Sequence, residues 1–147
     1  MRKRAVLIVM AILILAAAAA FAQMEDGVDV NEGNIPAKDA EAPEKVYIRY
    51  ARAVHGGDIP AIRTMVYSRS LLLWDKNGKQ MLGMTKNSIP ASPELVGRKP
   101  VKESQYHYTV LTMRGTSSKG LPMTGEVKMI VEKSQWRVYS EIWRPAR

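Results

Sequence analysis

The chain has 147 residues, with 22 Lys or Arg against 14 Asp or Glu, a formal charge of +8, and no cysteine. The missing thiols exclude disulfides, thiol catalysis, cysteine-held metals and a lipidated cysteine. The length allows one domain of ordinary size with its own core.

Residues 1–22 read as a secretory signal peptide. Arg2, Lys3 and Arg4 open it, an apolar run follows from Ala5 to Ala20, and Ala20-Phe21-Ala22 closes it as an A-x-A cleavage site. The apolar run falls short of the roughly 20 residues a spanning helix needs. Cleavage between Ala22 and Gln23 is therefore expected over a retained anchor. Export without disulfides points to a bacterial envelope, with the protein periplasmic or secreted.

Residues 23–42 read as a flexible acidic linker. They hold Gly, Pro, Asn and acids, few apolar residues, and no helical or strand period. Residues 43–147 form the expected single domain. Charge divides near this boundary: 23–44 carry seven acids and only Lys38, whereas 45–147 carry 18 basic residues and seven acids. A basic body suits weak contact with an anionic envelope surface, or is simply a solvated surface offset by its own acidic tail. No run of basic residues interleaved with aromatics appears, and no nucleic-acid partner is expected.

Two short helices are expected over Pro43–Tyr67. Val46, Tyr47, Tyr50, Ala51 and Val54 recur on one face of a 3.6-residue period, and Ile59, Ile62, Met65 and Val66 form the next stripe. Pro43 and Glu44 suit a helix start, Gly56 a left-handed helix end, and Asp58 the next N-cap. Helices this short need a surface to pack on.

The period then changes. Ser70–Trp74 and Lys79–Met84 flank Asn77-Gly78, which predicts a hairpin, with helix the alternative for Leu71–Trp74. Residues 85–100 contain Pro90, Pro93, Gly97 and Pro100 and read as loop, with a turn of helix at Pro93–Val96. The C-terminal third alternates as strands. Tyr106, Tyr108, Val110 and Thr112 oppose His107, Thr109, Leu111 and Met113; Val127, Met129 and Val131 share a side. Trp136, Val138, Ser140 and Ile142 oppose Arg137, Tyr139, Glu141 and Trp143. Short turns between them predict an antiparallel meander. Helices before strands make the fold class α+β, with the helices covering one face of the sheet. Val46, Tyr50, Val54, Ile62 and Val66 should then lie against Val127, Val131, Trp136 and Val138.

A helix ending in Gly56-Gly57-Asp58, a second helix, and long final strands carrying Trp136-x-Val138 resemble the nuclear transport factor 2-like superfamily, whose small exported members of unknown function are the most similar. The resemblance covers about Pro43–Trp143 and has no invariant motif. Ser68–Pro100 departs from the family pattern, which usually has a further helix there. The resemblance implies a cone made of a curved antiparallel sheet wrapped around helices, often with an interior pocket. The superfamily includes ketosteroid isomerases and polyketide cyclases, which use an interior carboxylate base with a tyrosine or a second acid as oxyanion donor.

The acids here do not meet that pattern. Glu126, Glu132 and Glu141 fall in phase with outward positions, Asp58 fits a cap and Asp75 a turn. No catalytic residue and no cofactor is expected. His55 and His107 lack ligand spacing, so no metal is expected either. His55 suits the carbonyls at its helix end, and His107 a mid-strand outward position. Tyr50, Trp74, Tyr106, Tyr108 and Trp143 form a speculative ligand-binding pocket, against the plainer reading that such aromatics fill a core. The expected role is a non-catalytic envelope protein that binds a small apolar ligand or a protein partner, with a homodimer left open. The alternatives are a cone-fold isomerase or cyclase, or a component of a secretion or conjugation assembly.

Overall fold

The computed structural model describes residues 36–103 and 106–147. The signal-peptide reading and most of the linker reading fall on residues outside these. Three helices precede four strands: α1 (Pro43–Gly56), α2 (Ile59–Met65), α3 (Ser68–Ser88), β1 (Glu94–Glu103), β2 (Tyr106–Thr116), β3 (Pro122–Glu132) and β4 (Gln135–Pro145). The strands form one antiparallel sheet in sequence order. The fold is α+β, with the helices packed on one face of that sheet.

Helix α1 starts with Pro43, which loses no hydrogen bond there, and Glu44 lies in its first turn. Gly57, rather than Gly56, takes the left-handed conformation at its end, with φ of 75°. The Asp58 carboxylate caps α2, accepting from the Ala61 N–H at 3.0 Å. The stripe of α1 and the apolar side of α2 meet Leu111, Met113, Val127, Met129 and Val138 from the sheet in one core. Val66 lies beside Val138 in a short parallel bridge, and the Tyr67 N–H donates to the Val138 carbonyl at 2.9 Å. Most of the anticipated packing is present: Val46, Tyr50, Val54, Ile62 and Val66 share that core with Val127 and Val138, and Trp136 packs against it, whereas Val131 is buried outside that cluster.

The middle of the chain differs from its sequence reading. Leu71–Met84 is not a hairpin but part of α3, and Asn77 is a kink within the helix, at φ −134° and ψ 32°. Asn77-Gly78 therefore bends a helix instead of reversing a strand. Trp74, buried in the core, holds this helix on its neighbours. Burial by tertiary contact overrode the local turn preference. Residues 94–103 are strand β1, not loop. β1 is an edge strand, where Pro100 removes no interior ladder bond, and a bulge lies between Leu95 and Gly97.

The β3–β4 turn is tight. Glu132 pairs with Gln135, and Lys133 and Ser134 both have positive φ, 51° and 61°. Both central residues must be left-handed in the two-residue hairpin whose twist matches its strands. The Ala37 N–H donates to the Ser134 carbonyl at 2.9 Å. The start of the described chain is thus tied to this turn.

Candidate functional site

The decisive feature lies in β4. Pairing with β3 is regular up to Lys128–Ser140, then shifts so that Met129 faces Val138. Tyr139 is the extra residue of a β-bulge, and it reverses the side-chain phase. Val138 and Trp136 face the helices before it. After it, Glu141 pairs with Val127 and Trp143 with Gly125, on the same covered face. The reading of Glu141 as outward is thereby corrected. Ile142 points away instead and is more than half exposed.

Glu141 meets α1. Tyr47 donates its hydroxyl to one carboxylate oxygen of Glu141, and Tyr50 donates to the other at 3.0 Å. The Trp143 indole N–H donates to the Tyr47 hydroxyl oxygen at 2.9 Å. Tyr47 and Tyr50 lie one helical turn apart, with ring centroids 5.7 Å from each other. Both are buried. Glu141 keeps some exposed surface, but its carboxyl end is the enclosed part. Burial pushes that carboxyl above the ordinary range for Glu, opposed by the hydrogen bonds from Tyr47, Tyr50 and Trp143. Burial, and then the Glu141 charge, push both tyrosines well above their usual value, so they keep their protons.

Gly125 is what lets the indole lie there. A Cβ on Gly125 would come within 2.5 Å of Cδ2 and Cε2 of Trp143. The network therefore needs a bulge at Tyr139, a glycine opposite Trp143, and two tyrosines at helical spacing. The spacing of Trp136 and Trp143 is the trace that the bulge leaves in the sequence. Residues seven apart cannot share a face of a regular strand, so strict alternation leaves one tryptophan on the outer face.

The aromatic residues read as a pocket do not assemble as one. Tyr50 and Trp143 meet at the Glu141 network. Trp74 is in the core on α3. Tyr108 stacks edge-on against Tyr139, which also touches Tyr67. Of Tyr106, only the backbone lies among the described residues. His55 bonds not its own helix but the Ile89 carbonyl after α3, at 2.9 Å. Among the described residues, no three His, Asp or Glu side chains cluster as a metal site.

Open space lies elsewhere. A cleft of about 570 Å³ lies between the chain entering α1 and the β1–β2 end of the sheet. Pro36, Pro43, Pro100, Val101, Tyr108 and Trp136 form its apolar walls, with Arg98 and Thr109 as polar members. Arg98 reaches Glu44 of α1 at 3.2 Å. A wider crevice of about 770 Å³ lies at the other end of the sheet, among Thr112, Arg114, Thr116 and Thr124, and no aromatic side chain among the described residues lines it. Neither crevice is lined by Glu141. The chain matches no protein-family model and no curated protein.

Proposed function

We propose that this chain is an exported, non-catalytic envelope protein that binds a small apolar ligand in the cleft walled by Pro43, Pro100 and Trp136. The observation that carries this reading is where the open space lies. The region between helices and sheet is filled by side chains from both layers, and both oxygens of Glu141 are engaged by Tyr47 and Tyr50. The cleft offers instead an apolar wall with two polar groups, the ordinary make-up of a small-molecule site. The resemblance to small exported members of the nuclear transport factor 2-like superfamily supports the same reading. A mature protein that begins at Gln23 is the corresponding expectation, checked by N-terminal sequencing of the exported form.

Native mass spectrometry after incubation with mixed lipophilic compounds tests the binding. A retained small molecule, displaced in Trp136→Ser, is the expected result. A protein that retains nothing from any mixture would sink the proposal.

One observation favours a second reading, a cone-fold enzyme. Glu141 is an inward carboxyl with a raised pKa beside two tyrosine hydroxyls, and those groups can serve proton abstraction next to a carbonyl. Deuterium uptake from D2O into enolisable ketones measures that chemistry directly. Uptake that disappears in a folded Glu141→Gln variant would establish the enzyme; no uptake above the buffer rate leaves Glu141 as a structural tie.

A further inference from the structure

The cleft has a polar end with a definite chemical preference. Arg98 and Thr109 lie diagonally across the β1–β2 pair, because Arg98 faces Leu111 and Pro100 faces Thr109. Diagonal neighbours on one face are within reach of a long side chain, at about 7–8 Å between backbones. Thr109 is 4% exposed, and among the described residues its hydroxyl reaches the Lys99 carbonyl at 3.5 Å, the long limit of a hydrogen bond. Arg98 meets Glu44 through one nitrogen, at 3.2 Å, from a half-exposed position. A guanidinium has five N–H donors in a fork that fits a carboxylate. Glu44, an acid on a basic domain, thus sits where a ligand carboxylate would also bind.

We propose that the cleft binds a free single-chain amphiphile with a carboxylate headgroup, held at Arg98 and Thr109 with its alkyl chain along Pro43, Pro100 and Trp136. This rests on the reading of the cleft as an apolar ligand site and adds the headgroup. The charge match decides the class. Among the described residues Arg98 is the cation lining the cleft, so a carboxylate gains a charge-assisted bond there that an alcohol or an amine cannot make. The Arg98–Glu44 pair is the competitor, and as a partly exposed pair it is weak enough to be displaced.

Titration calorimetry of the full-length protein with dodecanoate, dodecanol and dodecylammonium tests it. Dodecanoate should bind roughly ten-fold or more tightly than either analogue. Arg98→Gln should remove that preference, bringing dodecanoate down to the affinity of dodecanol. Glu44→Gln frees the guanidinium and should tighten dodecanoate several-fold, a gain that a damaged fold cannot produce. Equal affinity for dodecanoate and dodecanol would overturn the headgroup assignment and leave the apolar site standing. Binding of none of the three would overturn both. Sedimentation with phosphatidylglycerol vesicles that depends on Arg98, without dodecanoate binding, would overturn the free-amphiphile assignment in favour of a membrane surface.

Discussion

Glu141 carries the clearest residue-scale chemistry. Its folded pKa is raised, so the folded state holds the proton more tightly than the unfolded chain does. The resulting contribution to stability is complete below the unfolded carboxyl value of about 4.3 and is lost as pH rises through the higher folded value. Glu141→Gln has no such titration. The stability of wild type relative to this variant should therefore fall as pH rises across that window, and urea unfolding at a series of pH values reads the difference. Tyr47→Phe takes the donor from Glu141 and the acceptor from Trp143 together. Leaving such groups unpaired costs about 1–3 kcal/mol, seen as a lower urea midpoint with an unchanged slope. Gly125→Ala acts on the same network from across the sheet. Its methyl would displace the Trp143 ring, at a cost of about 1–3 kcal/mol, and would shift the tryptophan emission.

At the scale of elements, the helices show where glycine is required and where it is not. Gly57 ends α1 at φ 75°, a conformation that costs a residue with a side chain roughly 1–2 kcal/mol. Gly83 lies exposed within α3, and a Cβ there meets nothing within 4 Å. Gly57→Ala should lower stability by about 1 kcal/mol, and Gly83→Ala should raise it by about 0.5–1 kcal/mol. Thermal melts of the two variants with wild type check both signs; a stabilised Gly57→Ala protein would show that the cap geometry is wrong. The elements also differ in how far their sequences reveal them. The α1 stripe from Val46 to Val54 is legible because a helix repeats its buried side every three to four residues. α3 is not, because Asn77-Gly78 carries a strong turn preference in the middle of a helix, and the packing of Trp74, Leu71, Met81 and Leu82 on the core outweighs it. β4 is legible as a strand but not in phase. A bulge shows no signature in residue type at Tyr139, yet it moves Glu141 and Trp143 from one face to the other.

At the scale of the whole molecule, one continuous core joins the layers. Trp74 from α3, Tyr47 and Tyr50 from α1, and Val127 and Val138 from the sheet belong to the same buried cluster. Helices and sheet should therefore unfold together. Urea transitions followed by far-ultraviolet circular dichroism and by tryptophan fluorescence are expected to coincide, and two separated midpoints would contradict the shared core. The sequence by itself determined the order of helices before strands, the buried stripe of α1 and the Asp58 cap. These follow from local period and local backbone preference, which a short stretch of chain carries alone. The tertiary structure alone decided that the middle segment is a kinked helix, that 94–103 is a paired edge strand, and that Glu141 turns toward Tyr47 and Tyr50. Each of these depends on contacts between residues far apart in the chain: the core around Trp74, the ladder from β1 to β2, and the register shift between β3 and β4.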